Sequence, residues 1–212
     1  MNEARKSELL TAIAPTQRGE RATPEQQRQI LTLVEHLEDA NPTPAPTATP
    51  DRLQGNWRTL YTTSRDLLGL SGLPGIQAGE IYQAIEVASQ QVFNIAEIES
   101  RIPLTQGIIA IRARFQPVSE RRVEVTFDQL VVGWSWLINY RIETFLPLLI
   151  HQPQQIPALK IPVRQPSQRP SWLEITYLDD QMRIGRGSQG SLFILEKVPA
   201  PSMATASGTP SA

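Results

Sequence analysis

The sequence feature that most constrains the fold is a change of hydrophobic period at Leu53. From this residue onward, bulky and polar residues alternate at every second position in a series of short segments, which is the pattern of β-strands. Turn residues separate these segments, without helices of the βαβ type, so the sheet should be antiparallel and should close on itself. We therefore predict a mainly β fold, an antiparallel β-barrel of about eight strands, at positions 55–63, 80–88, 91–99, 107–116, 121–132, 171–178, 181–186 and 191–197.

A pair of helices is predicted ahead of the strands, at residues 2–14 and 24–39. In the second helix Thr23 can act as the N-cap, Pro24 suits the first helical position, and Gln26 completes a capping box. The Pro/Thr/Ala-rich stretch 41–52 is expected to be a semi-rigid linker that does not pack. The predicted organisation is an N-terminal helical region (1–40) packing on the barrel, the linker, a barrel domain (53–198) and a disordered tail (199–212).

Composition excludes several classes of protein. The chain has 212 residues, no cysteine and a formal net charge of -1. The absence of cysteine excludes a disulfide scaffold, thiol chemistry and a cysteine-ligated metal site. The balanced charge gives no reason to expect nucleic acid. The longest apolar runs fall far short of the roughly 18 residues of a membrane span. Because the N-terminus lacks the apolar core of a signal peptide and carries Glu3 and Glu8, no targeting segment is expected there.

Between Trp134 and Pro170 the alternation breaks down, and prolines recur throughout. Proline disfavours both a long helix and a central strand. We expect the fifth strand to run on to about residue 143. A long irregular excursion over 144–170 should follow, with at most one short edge strand near Leu159 to Val163.

The alternation also predicts which side chains face the interior. The strand from Val92 to Ile98 is apolar on both faces, so a helix should cover its outer face, and the N-terminal pair is the expected cover. Strand parity alone places the following residues on the interior wall, where they would line a cavity suited to an apolar ligand: Tyr61, Ile81, Ile85, Ile109, Ile111, Val123, Val125 and Phe127.

The segment from Leu67 to Ile76 is the strongest functional candidate. Its large apolar residues, Leu67, Leu68, Leu70, Leu73 and Ile76, are interleaved with glycines, which favour an irregular and mobile backbone. Two interpretations remain open: the segment plugs the barrel as part of its core, or it forms a portal that contacts lipid at the barrel mouth.

Three blocks of sequence carry a resemblance to a known family: LQGNWRTLYTTS, then LLGLSGLPGIQAGEIYQAIE with VFNIAEI, and finally TYLDDQMRIGRGSQGSLFILEK. In this order and spacing the chain resembles the plastid lipid-associated proteins, also called fibrillins or plastoglobulins, and looks like a cyanobacterial-type member. The resemblance implies a lipocalin-like barrel associated peripherally with thylakoid membranes or lipid globules. It also implies binding of isoprenoid or other apolar lipids, protein partners at the thylakoid, and a part in photoprotection.

The pair Gly55 and Trp57 resembles the Gly-x-Trp that opens the first lipocalin strand. In that family the tryptophan packs at the closed end beneath an arginine from the last strands. Arg183 and Arg186 are the candidates here, and we favour Arg186 because it shares strand parity with Met182 and Ile184, which we expect to point inward. Gly55, Trp57 and the stacking arginine can also have a purely structural role, that of closing the end of the barrel.

Other polar groups lack the pattern of a catalytic or metal site. Asp179 and Asp180 lie where a hairpin turn is expected. Glu97 and Glu99 share a strand face that can pair with nearby arginines or anchor a lipid headgroup. The two histidines lack metal-site spacing, and no GxSxG motif occurs.

We therefore predict a protein without catalytic activity or cofactor that binds an apolar isoprenoid, quinone, carotenoid or acyl lipid in its barrel. As a cyanobacterial-type member it should lie on the cytoplasmic side of the thylakoid. The alternative is a scaffolding protein that coats membranes or lipid globules and holds no internal ligand.

Overall fold

The structure is a computed structural model that describes residues 2–64, 76–100, 105–138, 141–163 and 171–199. Its helices are α1 (Asn2–Ile13), α2 (Pro24–Glu38), α3 (Pro50–Leu53), α4 (Ser135–Ile138) and α5 (Ile142–His151). Its strands are β1 (Gly55–Thr62), β2 (Ile76–Glu86), β3 (Gln91–Ser100), β4 (Gly107–Pro117), β5 (Arg122–Trp134), β6 (Leu159–Pro162), β7 (Ser171–Leu178), β8 (Met182–Gly187) and β9 (Leu192–Val198).

The nine strands of the described residues form one antiparallel sheet in the order β4-β3-β2-β1-β9-β8-β7-β5-β6, with a further β4–β5 pairing. This pairing joins the two sides of the sheet into a ring of strands, because each strand except β6 then has a neighbour on both edges. The long strand β5 pairs with β7 through residues 122–125 and with the edge strand β6 through residues 129–132. The prediction of a mainly β, antiparallel fold is therefore confirmed.

The helices α1 and α2 cover the outer face of β1, β7, β8 and β9. A capping box at Thr23 and Gln26 starts α2 as the sequence predicts. The Thr23 hydroxyl accepts a hydrogen bond from the Gln26 backbone N–H, and the Gln26 side chain accepts one from the Thr23 backbone N–H. One buried cluster joins the two helices to the strands, and its members are Leu9, Ile13, Ile30, Leu33, Val34, Leu37, Tyr61, Tyr177, Met182, Ile184, Leu192 and Ile194.

A different helix covers β3, so the prediction that the N-terminal pair lies there is wrong. Phe93 and Ile95 on the outer face of β3 belong to a cluster with Phe145, Leu146 and Leu149 of α5. The predicted extension of β5 to residue 143 is also wrong, because β5 ends at Trp134. Proline does not prevent α5: Pro147 lies inside this helix, and burial of its apolar face against β3 and β4 offsets the lost backbone hydrogen bond.

The segment 41–53, here called the strap, packs against the sheet although the sequence predicted an unpacked linker. The Asn41 side chain accepts a hydrogen bond from the backbone N–H of Leu178 at 3.1 Å, and the buried Thr43 hydroxyl donates to the Leu178 carbonyl at 2.7 Å. Further along, the Thr47 N–H donates to the Glu120 carbonyl. Prolines in the strap lack N–H donors, so few polar groups need partners and the segment can lie flat on the ring.

Candidate functional site

Trp57 lies inside the ring and is fully buried. Its indole Nε1 donates a hydrogen bond to the Leu53 carbonyl at 3.0 Å, which ties the side chain to the strap. Two cations approach its ring: the Arg183 guanidinium at 5.0 Å and the Lys197 ammonium at 5.3 Å from the centroid. Gly55, two residues earlier, has a φ of 119°, a backbone conformation that residues with a side chain rarely adopt. Trp57 and the residues around it therefore form one end of the interior.

The prediction that Arg186 stacks on Trp57 is wrong, because Arg183 occupies that position. Arg186 points outward and forms a bidentate pair with Glu38 of α2, with Nε–Oε1 and Nη2–Oε2 distances of 2.9 and 2.8 Å. Parity misled the prediction because β8 is buried on both faces: its apolar residues Met182 and Ile184 pack against the helices rather than the interior.

The inner face is lined by most of the residues that parity placed there. Ile85 and Val123 belong to a buried cluster around Trp57, and Val125 and Phe127 pack against it. Ile81 is buried opposite Ala96. Cross-strand partners share a face of the sheet. This rule also places Ile109, Ile111, Leu130 and Val132 on the inner face, because they are paired across β4 and β5. All four remain partly accessible.

Tyr61 does not line this wall. A register shift lies between Thr59, which pairs with Leu195, and Tyr61, which pairs with Ile194. The extra residue reverses the parity of β1 beyond Leu60. Tyr61 consequently packs under the N-terminal helices, where it is only 1% exposed and burial raises the pKa of its hydroxyl.

The predicted portal lies outside the described residues. Leu67, Leu68, Leu70 and Leu73 all belong to the range 65–75 that the structure does not describe. Ile76 is the first residue of β2, and its side chain is not described either. The choice between plug and portal stays a prediction.

A short chain of polar side chains interrupts the apolar inner face. The Arg183 guanidinium donates a hydrogen bond to the side-chain oxygen Oε1 of Gln83. The side-chain Nε2 of Gln83 in turn donates to Asn94 Oδ1 at 2.6 Å. Arg183 is 2% exposed, whereas Gln83 and Asn94 remain partly accessible. Burial lowers the pKa of Arg183 to about 9, so its guanidinium stays charged at neutral pH. The sequence alone does not predict these contacts, because they depend on the register of β2, β3 and β8.

Exposed apolar residues continue the wall past its edge. Ile161 and Leu159 of β6 pair with Leu130 and Val132, so they extend the inner face outward. Together with large residues at the end of β5 and in α4 they form a set that we call the apolar rim: Trp134, Trp136, Leu137, Leu159 and Ile161, which are 39%, 61%, 45%, 52% and 40% exposed.

The two turn aspartates and the arginines of β4 have structural partners. Asp179 accepts hydrogen bonds from Lys6, Tyr177 and two backbone N–H groups of its own turn, and Asp180 pairs with Arg52. Arg112 and Arg114 both bond Asp128. Among the residues that the structure describes, no cluster of histidine, aspartate and glutamate side chains could hold a metal ion. Within the same residues, none of the helices has the length and apolar character needed to span a membrane.

Comparison with known proteins places these features in a family. The PAP_fibrillin family model matches residues 3–196. The chain is 30% identical over 226 residues to the light-induced chloroplastic protein of Solanum demissum, covering 94% of this chain and 68% of the relative. It is 32% identical to plastoglobulin-1 of Pisum sativum, covering 92% and 61% of the two chains.

The probable plastid-lipid-associated protein 2 of Arabidopsis thaliana is likewise 32% identical, and the match covers 94% of this chain and 72% of that protein. No solved structure gives a significant match. The family model covers nearly the whole of the strand ring and both N-terminal helices. The chain therefore belongs to the PAP_fibrillin family.

Proposed function

We propose that the protein is a non-enzymatic lipid carrier whose strand ring is a lipocalin-like barrel around an apolar ligand. The observation that carries this proposal is the incomplete burial of the inner wall. Ile109, Ile111, Val125 and Phe127 point inward yet remain partly accessible. A core filled by its own side chains would bury such residues as it buries Ile85. An apolar and accessible concave wall suits an isoprenoid, quinone, carotenoid or acyl lipid.

The apolar rim gives such a ligand a route from a lipid phase. It continues the inner wall across β6, and its tryptophans are of the type that favours membrane interfaces. A ligand that enters along the rim would not cross water. The segment from Leu67 to Ile76 is proposed as a second lipid-contacting element at the mouth.

The names of the relatives support a lipid association. They include a plastoglobulin, a plastid-lipid-associated protein and, from Oncidium, a chromoplast-specific carotenoid-associated protein. We propose a peripheral position on thylakoid membranes or lipid globules and a contribution to photoprotection. These relatives are plant proteins, so the cyanobacterial type and a cytoplasmic-side location remain predictions.

Lipid transfer from vesicles tests the carrier function. Delipidated protein is incubated with galactolipid vesicles that contain a plastoquinone and β-carotene, then separated by flotation, and the lipid extracted from the free protein is quantified. The wild type should recover about one apolar ligand per chain. Phe127→Asp, which places a charge on the inner wall, should lose most of this loading. Ile111→Asn is a milder inner variant with the same expected direction.

The matched control is Thr126→Asp, because Thr126 is the outward-facing neighbour of Phe127 in β5 and is exposed. Its loading should equal that of the wild type, and circular dichroism establishes that each variant is folded. A wild type that takes up no apolar lipid, or equal loading in the inner and outer variants, would overturn the carrier function.

The exposed rim also favours a second candidate, a scaffold that coats lipid surfaces without an internal ligand. The double variant Trp136→Ser and Leu137→Ser distinguishes the two. On either view it should weaken flotation with vesicles, because both side chains are exposed and apolar. Ligand taken up from detergent solution should survive in this variant if the protein is a carrier, and should be absent from every variant if it is a scaffold.

A further inference from the structure

Among the residues that the structure describes, Arg183 is a buried cation without a carboxylate partner. Arg58, Arg122 and Arg186 all pair with glutamates on the outer face, but within the described part of the chain Arg183 forms no ion pair, and its one hydrogen bond goes to the amide oxygen of Gln83. A guanidinium carries five donors. Burying such a group without an anion is costly, because water no longer solvates its charge. An anion inside the ring would relieve this cost.

Nearby groups in the described ranges do not supply that anion. Lys197, the other cation at Trp57, directs its ammonium to the carbonyls of Asp51 and Arg52 in the strap, so it adds positive charge without neutralising any. Apart from these two cations, the inward residues of the described strands are apolar or neutral. The neutral polar ones are Thr59, Thr62, Gln83, Asn94, Ser100 and Ser171. The closed end of the interior is therefore electropositive.

The polar side chains Gln83 and Asn94 also lie at one end of a continuous row of inward residues, whose other members are apolar. Residues paired across five neighbouring strands run from Gln83 through Asn94, Ile111 and Leu130 to Ile161. Four interstrand steps follow the curved wall over about 19 Å. Along this row the side chains change from amides to isoleucine and leucine, and the row ends at Ile161 in the apolar rim. Such a row matches a long amphiphile with a polar head and an apolar tail.

We propose that Arg183, Gln83 and Asn94 bind the anionic oxygen head of an amphiphilic ligand, most simply the carboxylate of a long-chain acid, whose tail lies along Ile111, Leu130 and Ile161. This inference rests on the proposed carrier function and specifies the ligand class for the same cavity. Arg183 supplies the charge. Asn94, whose Oδ1 accepts from Gln83, has its Nδ2 donors uncommitted within the described residues.

Paired ligands that differ only in charge test the head group. Oleate and methyl oleate, delivered from cyclodextrin, are titrated into the delipidated full chain, and binding is measured by displacement of a neutral fluorescent lipid. The wild type should bind oleate at least about tenfold more tightly than methyl oleate, as expected for a charge-assisted hydrogen bond in a dry site. Asn94→Asp, which keeps the shape of the side chain, supplies a competing carboxylate and should reduce this ratio to near unity.

The control variant is Asn56→Asp, because Asn56 is similarly half-buried but faces outward from β1, paired with Ala84. It should retain the wild-type ratio. Equal affinity of the wild type for the two ligands would overturn the anionic head while leaving the carrier function intact. Failure of both ligands to displace the fluorescent lipid would overturn this inference but not the carrier function. If the fluorescent lipid itself did not bind, the carrier function would be overturned and this inference with it. Equal ratios in Asn94→Asp and in the wild type would exclude Asn94 from the head site.

Discussion

Asp179 shows how a single carboxylate links the N-terminal helices to the ring. Lys6 of α1, itself 5% exposed, donates to Asp179 Oδ2 at 2.9 Å, and the Tyr177 hydroxyl donates to the same oxygen at 2.7 Å. Burial raises the pKa of Asp179, but the hydrogen bonds from Lys6, from Tyr177 and from the backbone of Gln181 and Met182 outweigh it and hold this pKa below its usual value.

We predict that Asp179→Asn lowers the free energy of unfolding at neutral pH by about 1–3 kcal/mol. The amide oxygen can still accept from the turn, but Lys6 and the Tyr177 hydroxyl lose the charged oxygen to which both donate. A carboxyl group with a lowered pKa in the folded state contributes stability above the unfolded pKa, near 3.9, and loses it as pH falls through the lower folded value. The gap between variant and wild type should therefore narrow below about pH 4. Urea unfolding across this pH range measures it.

Asp180→Asn provides the comparison for this prediction. The Asp180 carboxylate is 80% exposed and pairs with Arg52 on the surface, so its loss should change the free energy of unfolding by less than about 1 kcal/mol. Equal effects of the two substitutions, or a gap for Asp179→Asn that widens in acid, would contradict the assigned role.

At the scale of single residues, sequence parity succeeds where strands are regular and fails at bulges and at doubly buried strands. The inward placement of Ile85, Val123 and Phe127 follows directly from alternation. Tyr61 is misplaced because one extra residue in β1 reverses parity beyond it. Arg186 is misplaced because apolar residues on β8 indicate burial without indicating which layer buries them.

At the scale of elements, α5 is the part of the fold whose packing the sequence concealed. Six prolines over the region 144–170 argue against any helix. The local propensity is overridden because α5 buries Phe145, Leu146 and Leu149 against β3, β4 and β5. The strap is a similar case: its composition is that of a linker, whereas partners on distant strands, such as Leu178, hold it in place.

Adjacent leucines of α5 test the role of this helix. Leu149 is 3% exposed and packs in the cluster with Phe93 and Ile108, whereas Leu148 is 37% exposed. Leu149→Ala should lower the free energy of unfolding by about 2–5 kcal/mol because it leaves a cavity. Leu148→Ala carries the same change in helix propensity and should alter it by no more than about 0.5 kcal/mol. Chemical denaturation measures both, and indistinguishable values would mean that α5 does not cover the sheet.

At the scale of the whole molecule, the ring is covered on its outside and left accessible within. The helices α1 and α2 bury one outer side, α5 buries another, and the strap lies near Trp57 at one end. Some strands are apolar on both faces. Because helices bury the outer face of these strands, the inner face is left accessible for a ligand. The antiparallel sheet and the helical pair were predictable from hydrophobic period. Which helix covers which strand was not, because that depends on contacts between segments far apart in sequence.

The central claim is that the inner wall holds an apolar ligand, and native mass spectrometry with lipid extraction tests it most directly. The protein is isolated from a photosynthetic membrane source in mild detergent and weighed intact. We predict a mass increment of one ligand per chain, released on denaturation and identified in the extract as an apolar or amphiphilic lipid. A chain that retains its folded charge distribution but carries no ligand after exposure to the membrane would contradict the carrier account and favour the surface scaffold.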